Sequence, residues 1–175
     1  MYICWASQAA LYHFYGVEKK PLEEKLFGVF KHTTLNKRHP LFRGFDDEFF
    51  IPHSRHTTID KVDLLAKDGI EILSESPEAG IAIVSSRGGR EFYLTGHSEY
   101  APFTLDEEYK RDLEKGQEIA MPVNYYVDNN PENRPLVRWT SHANLLFNNW
   151  LKYFVYQETP FDLKDVVYLG EIKQG

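Results

Sequence analysis

The chain has 175 residues, 42% of them apolar and 15% aromatic, with a formal net charge of −6. A chain of this size buries roughly two-thirds of its unfolded surface, so a single domain with a real core fits the composition and a disordered chain does not. Neither nucleic acid nor a membrane is an expected partner, since there is no basic surface and no stretch near the ~18 apolar residues of a span. The single cysteine excludes an internal disulfide and fits a reducing compartment.

Tyr2-Ile3 reads as the end of a strand, followed by a helix over 6–15 that Gly16 terminates. The stretch from Pro21 to Phe30 is less regular. Lys31 to Thr58 reads as a loop holding Pro40, Gly44 and Pro52 together with several His and Phe, too aromatic to be solvated and therefore built around a site. From Gly69 the pattern becomes strand-like: 70–73, 81–84 and 91–95 are short apolar runs, and Gly88-Gly89 marks a hairpin between the last two. Thr104 and Glu107 form a capping box, and Gly116 stops the helix that follows. After a loop over 121–135, a helix over 141–157 places Leu145, Leu146, Trp150, Phe154 and Val155 at helical spacing. Strands and helices in this order predict an α/β or mixed architecture.

Two sets of residues suit chemistry. Cys4, between a short strand and a helix, occupies the elbow that hydrolases use to expose a nucleophile, where the helix dipole and following N–H groups stabilise a thiolate. A strained backbone there, with the sulfur near His97, is the geometry this reading requires. Buried cysteine is also a common core residue, so position alone does not decide. His97 follows a glycine at a strand end, and Glu99 could orient its imidazole. The plainer alternative is a surface turn with a solvated His and Glu.

The words around these residues are more specific. Ile3-Cys4-Trp5-Ala6-Ser7-Gln8-Ala9, Glu24-Lys25-Leu26-Phe27-Gly28-Val29-Phe30, Arg38-His39-Pro40-Leu41 and Arg43-Gly44-Phe45-Asp46-Asp47-Glu48-Phe49 come first. Pro52-His53-Ser54-Arg55-His56, Thr95-Gly96-His97-Ser98-Glu99-Tyr100, Glu107-Glu108-Tyr109-Lys110-Arg111-Asp112-Leu113 and Ser141-His142-Ala143-Asn144-Leu145-Leu146 complete the series. In this order the chain resembles the homoserine O-acyltransferases of methionine biosynthesis, usually called homoserine O-succinyltransferases, some of which are acetyltransferases. The resemblance runs from Tyr2 to about Leu163.

That resemblance implies a three-layer, flavodoxin-like α/β fold of the class I glutamine amidotransferase kind and a cytoplasmic enzyme, usually a homodimer. It implies Cys4 as the acyl-thioester nucleophile, His97 as general base and Glu99 as its acidic partner. Lys25, Ser54 and Arg111 fall on substrate-contacting positions, and the Trp5 N–H is the expected oxyanion donor. The implied substrates are L-homoserine and succinyl-CoA or acetyl-CoA. The acyl-CoA is a co-substrate, and no metal or prosthetic group is expected. The family's usual name leans toward succinyl. The whole of 1–175 is read as one catalytic portion, with the elbow at 1–16, a substrate loop at 31–58 and a His/Glu segment at 91–100.

The chain departs from the family pattern at Ser98, where proline is usual, and in beginning three residues before the nucleophile. The family places parallel core strands, acyl-pocket residues and a second oxyanion donor upstream, so this chain alone is expected to fold poorly or turn over weakly. Two rivals stand beside the acyltransferase reading: a glutamine amidotransferase-like thiol hydrolase and a catalytically incomplete fragment. Blander readings make Lys25 a solvated charge, Ser54 a turn residue and Arg111 an i,i+4 partner of Glu107. His53, His56 and His97 could be read as a metal cluster, although no ligand spacing supports zinc. Asp46, Asp47 and Glu48 read as loop-ordering acceptors.

Overall fold

The computed structural model of the chain describes residues 1–159, so the end of the single unit expected over 1–175 lies outside the described residues. Ten elements carry the fold: β1 (Tyr2–Ile3), α1 (Trp5–Tyr15), β2 (Lys20–Thr34), β3 (Glu48–Thr58), α2 (Lys61–Leu65), β4 (Ile70–Ser76), β5 (Gly80–Ser86), β6 (Glu91–Leu94), α3 (Thr104–Glu114) and α4 (Thr140–Trp150). The six strands form one sheet in the order β1-β6-β5-β4-β2-β3. β1 runs parallel to β6, and the other strand pairs are antiparallel. Helices flank this mixed sheet.

Several sequence expectations hold for local physical reasons. Gly16 ends α1 in the left-handed conformation at φ 65° that a Cβ disfavours, and its N–H closes onto Tyr12. Arg87–Gly89 makes the tight turn between β5 and β6, with all three residues at positive φ. α4 runs on from Trp150 into a π-helical turn, Leu151–Val155, which lays Phe154 against Phe92 and stacks it on His39.

The expected loop at 31–58 is corrected. Most of it is a long antiparallel hairpin of β2 and β3, crossed by a short 3₁₀ turn at Pro40–Phe42. β3 does alternate, with Phe49, Ile51, His53 and Arg55 turned inward, but half of that inward face is polar and imitates a loop. Pro52 is tolerated because β3 is the edge strand, where a missing N–H breaks no ladder. The capping box is corrected as well. The chain already turns at Ala101–Thr104, Phe103 takes the cap position, and the orphan N–H of Asp106 is satisfied by the Tyr125 hydroxyl (3.2 Å).

Three apolar clusters hold the layers. Leu11, Val17, Ile72, Val84 and Tyr93 pack α1 and α2 on one side of the sheet, and Phe49, Ile51, Leu73, Phe92 and Leu146 bring in α4. The third joins Phe27, Val29, Leu105, Tyr125 and Trp139, tying the 121–139 segment to β2 and α3. Asp46, Asp47 and Glu48 face His142, Lys37 and Lys31 at the start of β3.

Gly28 sits at φ 146°, where the backbone of Val123 approaches so closely that a Cβ would lie 2.3 Å from its carbonyl oxygen. Val29 and Phe27 exchange hydrogen bonds with Val123 at this point. Gly28→Ala should therefore force the segment off β2 and cost about 2–4 kcal/mol, read as a lower urea midpoint. An unchanged midpoint would show that the contact is slack.

Candidate active site

The parallel pairing of β1 and β6 builds the site. Tyr2 lies opposite Tyr93 and Ile3 opposite Leu94, so both chains leave the sheet side by side at the same end. The Cys4 N–H donates to the Leu94 carbonyl at 2.7 Å, fixing the elbow onto β6. Cys4 itself is at φ 52°, ψ −117°, a conformation costing a side-chain-bearing residue about 1–3 kcal/mol. The Cys4 carbonyl already accepts from the N–H and hydroxyl of Ser7, so the strained turn is locked by the first turn of α1. Among the described residues the Trp5 N–H, first in the helix, has no backbone acceptor.

His97 arrives from β6 through Thr95 and Gly96. Its N–H donates to the Pro52 carbonyl (2.8 Å), its Nδ1 meets Glu99 Oε1 at 2.6 Å, and its ring stacks on Tyr100 at 4.1 Å. Cys4 sits near enough to the same imidazole to favour its charged form. Burial of the ring works to lower its pKa, but Cys4 and Glu99 outweigh it and hold His97 at about 9. Gly96 makes the approach possible, since a Cβ there would lie 2.6 Å from Ile51 and 2.7 Å from His53.

The three residues expected to contact substrate form a second group beside the first. Lys25 Nζ and Ser54 Oγ both donate to Glu108 Oε1 at 2.7 Å, and Lys25 also lies 3.8 Å from Asp112. Arg111 is held by Asp112 (2.7 Å) and reaches toward Glu108 (3.9 Å), not Glu107. Lys25 is thus a partly buried charge over the Phe27 ring rather than a solvated one. Tyr100 joins the two groups: burial and the nearby charges of Glu108, Cys4 and Glu99 all push its phenol pKa up. Trp139 Nε1 holds the Tyr100 carbonyl at 2.9 Å, and Tyr126 and Tyr125 anchor α3 through Asp106.

The sequence reading assigned no role to Glu108, Asp112 or Tyr100. The Glu107–Asp112 run carries charges of both signs on a helix, which looks like an ordinary solvated face until Lys25 and Ser54 are brought to it. The suggested His53, His56 and His97 set is not brought together as a ligand cluster, because His53 is fully buried on the inner face of β3 while His56 is exposed.

A sequence profile of the homoserine O-succinyltransferase family matches residues 1–161. A homoserine O-acetyltransferase of Phocaeicola vulgatus is 61% identical over 95% of this chain, and one of Acetivibrio thermocellus is 56% identical over 94%. The chain spans about half the length of these relatives, 54% of each. Among solved structures, a glutamine amidotransferase from Thermotoga maritima aligns over 88% of this chain and 61% of its own, with TM-score 0.59 and 19% identity. A glutamine amidotransferase from Methylobacillus flagellatus gives 0.56 at 14% identity, over 86% of this chain and 61% of its own. These place the fold in the glutamine amidotransferase-like class.

The histidines give stability opposite pH dependences. His97 is raised above its unfolded value, so the stability it adds is full below pH 6.5 and is lost as pH rises toward 9. Burial lowers His32 to about 4, so its contribution is full above pH 6.5 and is lost as pH falls toward 4. Urea midpoints measured from pH 4 to pH 9.5 should fall on both sides, and His97→Asn should flatten only the alkaline arm. An alkaline arm unchanged in that variant would contradict the Cys4–His97–Glu99 geometry.

Proposed function

The chain belongs to the homoserine O-succinyltransferase family, and from that membership we propose that the protein transfers an acyl group from acyl-CoA to the γ-hydroxyl of L-homoserine through a thioester on Cys4. The observation that carries the proposal is the strained Cys4 elbow after β1 beside His97 of the segment after β6, whose ring Glu99 holds at 2.6 Å and whose pKa Cys4 and Glu99 raise to about 9. The Cys4 thiolate attacks the thioester carbonyl, the Trp5 N–H faces the oxyanion, and His97 gives its proton to the departing CoA sulfur. A single preorganised donor to such an oxyanion contributes about 3–4 kcal/mol.

Acylation then resets the base. With Cys4 esterified, its charge no longer supports the imidazolium, and burial draws the His97 pKa back down. The neutral ring takes the γ-hydroxyl proton as the alkoxide oxygen attacks the acyl carbon, and the Cys4 thiolate leaves. The covalent step resides in the thiol, so no metal or organic prosthetic group is called on.

Lys25, Ser54, Glu108 and Arg111 suit an α-amino acid zwitterion. Arg111 and Lys25 take the carboxylate, and Glu108, released from Lys25 and Ser54, takes the ammonium. Relatives named homoserine O-acetyltransferase share about three-fifths of the sequence, which favours acetyl-CoA as donor over succinyl-CoA. The same membership supports a cytoplasmic enzyme working as a homodimer. Among the described residues no helix is long and apolar enough to cross a membrane.

Initial rates with homoserine and each acyl-CoA test the reading. Acetyl-CoA should support turnover, and Arg111→Ala should raise the KM for homoserine about 10–100-fold while leaving that for acetyl-CoA unchanged. Glutamine hydrolysis without any need for CoA thioester would instead favour an amidotransferase-like hydrolase.

A further inference from the structure

The ring of Tyr100 lies flat against the ring of His97, with centroids 4.1 Å apart and planes 18° from parallel. The tyrosine is held firmly from behind. Trp139, 1% exposed, donates its Nε1–H to the Tyr100 carbonyl (2.9 Å), and the wholly buried Tyr125 donates its hydroxyl to the Pro102 carbonyl (2.6 Å). The backbone is thus pinned on both sides of Ala101, and Tyr100 itself packs against the cluster of Phe27, Val29 and Leu105. Among the described residues its hydroxyl makes no hydrogen bond, so what Tyr100 offers His97 is ring surface. Burial, then the charges of Glu108, Cys4 and Glu99, push the phenol pKa up, and the ring stays neutral.

Two contacts then define the imidazole. Glu99 Oε1 takes Nδ1 at 2.6 Å and leaves Nε2 as the nitrogen for chemistry, while the stack on Tyr100 covers one face of the ring. The face of an aromatic ring is electron-rich and attracts a cation laid against it, so this stack favours the imidazolium over the neutral ring. The groups that face His97 are Cys4 from the elbow, Glu99 and Tyr100 from its own segment, and His53 from β3, which burial keeps neutral; Glu108 of α3 faces the phenol. Resting on the reading of His97 as acid and then base, we infer that Tyr100 is a positioning residue acting through His97: a neutral aromatic face, locked by Trp139 and Tyr125, that braces the imidazole and supports its charge. The Cys4 charge disappears on acylation, whereas the Tyr100 face stays against the ring in both half-reactions.

NMR titration of the full chain carrying isotopically labelled histidine tests this without any acyl transfer. The His97 resonance is identified among the seven histidines by its loss in His97→Asn. Tyr100→Phe should leave the His97 midpoint near wild type. Ring-trifluorinated phenylalanine at position 100 keeps nearly the same shape but drains the face of electrons, and should lower that midpoint by about 0.5–1 pH. Tyr100→Leu should lower it at least as far. Equal midpoints for the phenylalanine and trifluorinated chains overturn the inference. So does a Tyr100→Phe chain shifted as far as Tyr100→Leu, which assigns the effect to the hydroxyl. If Tyr100→Leu does not fold, the phenylalanine pair of matched shape decides alone. Failure of acyl transfer with these midpoints as expected counts against the proposed function alone.

Discussion

The arrangement depends on a single parallel strand pair. β1 is only Tyr2–Ile3, yet its register against Tyr93 and Leu94 of β6 brings Cys4 and His97 out of the sheet at the same end. An antiparallel pairing would have sent them to opposite ends. The bond from the Cys4 N–H to the Leu94 carbonyl carries that register one residue further, into the strained elbow itself. Gly96 then lets the His97 turn settle onto Ile51 and His53, and the Pro52 carbonyl takes its N–H. The missing side chain at Gly96 and the edge position of β3 therefore act together.

Around that frame the charges are arranged by what they must do. Cys4 and Glu99 raise the His97 pKa against burial, and in the proposed reaction losing the Cys4 charge on acylation would turn the same ring into a base. In the proposed reaction one geometry would serve as acid in the first half-reaction and base in the second. Beside it, Lys25 and Arg111 are balanced by Glu108 and Asp112, so the pocket has no large net charge and suits a zwitterion better than a simple anion. Tyr100 stacks on the His97 ring, and Trp139 Nε1 holds the Tyr100 carbonyl.

Much of this was legible in the chain because the signals were local. The elbow, α1 with its Gly16 stop, the turn at Arg87–Gly89 and the long C-terminal helix all follow from residues within a turn of one another. The motif words also identified the family that the profile match and the relatives establish. The β2–β3 hairpin was hidden because its inward positions include His32, His53 and Arg55, which look like loop residues until their mutual hydrogen bonds are seen. Glu108 was hidden for a related reason: its partners Lys25 and Ser54 lie far away in sequence, on β2 and β3. Polar residues that satisfy one another across strands carry no periodic signature.

The central claim is that Cys4 carries the acyl group, and peptide mass spectrometry of the protein incubated with acetyl-CoA in the absence of homoserine tests it most directly. The account predicts one acetyl group on the peptide containing Cys4, lost on addition of homoserine and absent in Cys4→Ser. Acetylation at another residue, or an acetylated Cys4 that homoserine cannot discharge, would contradict it.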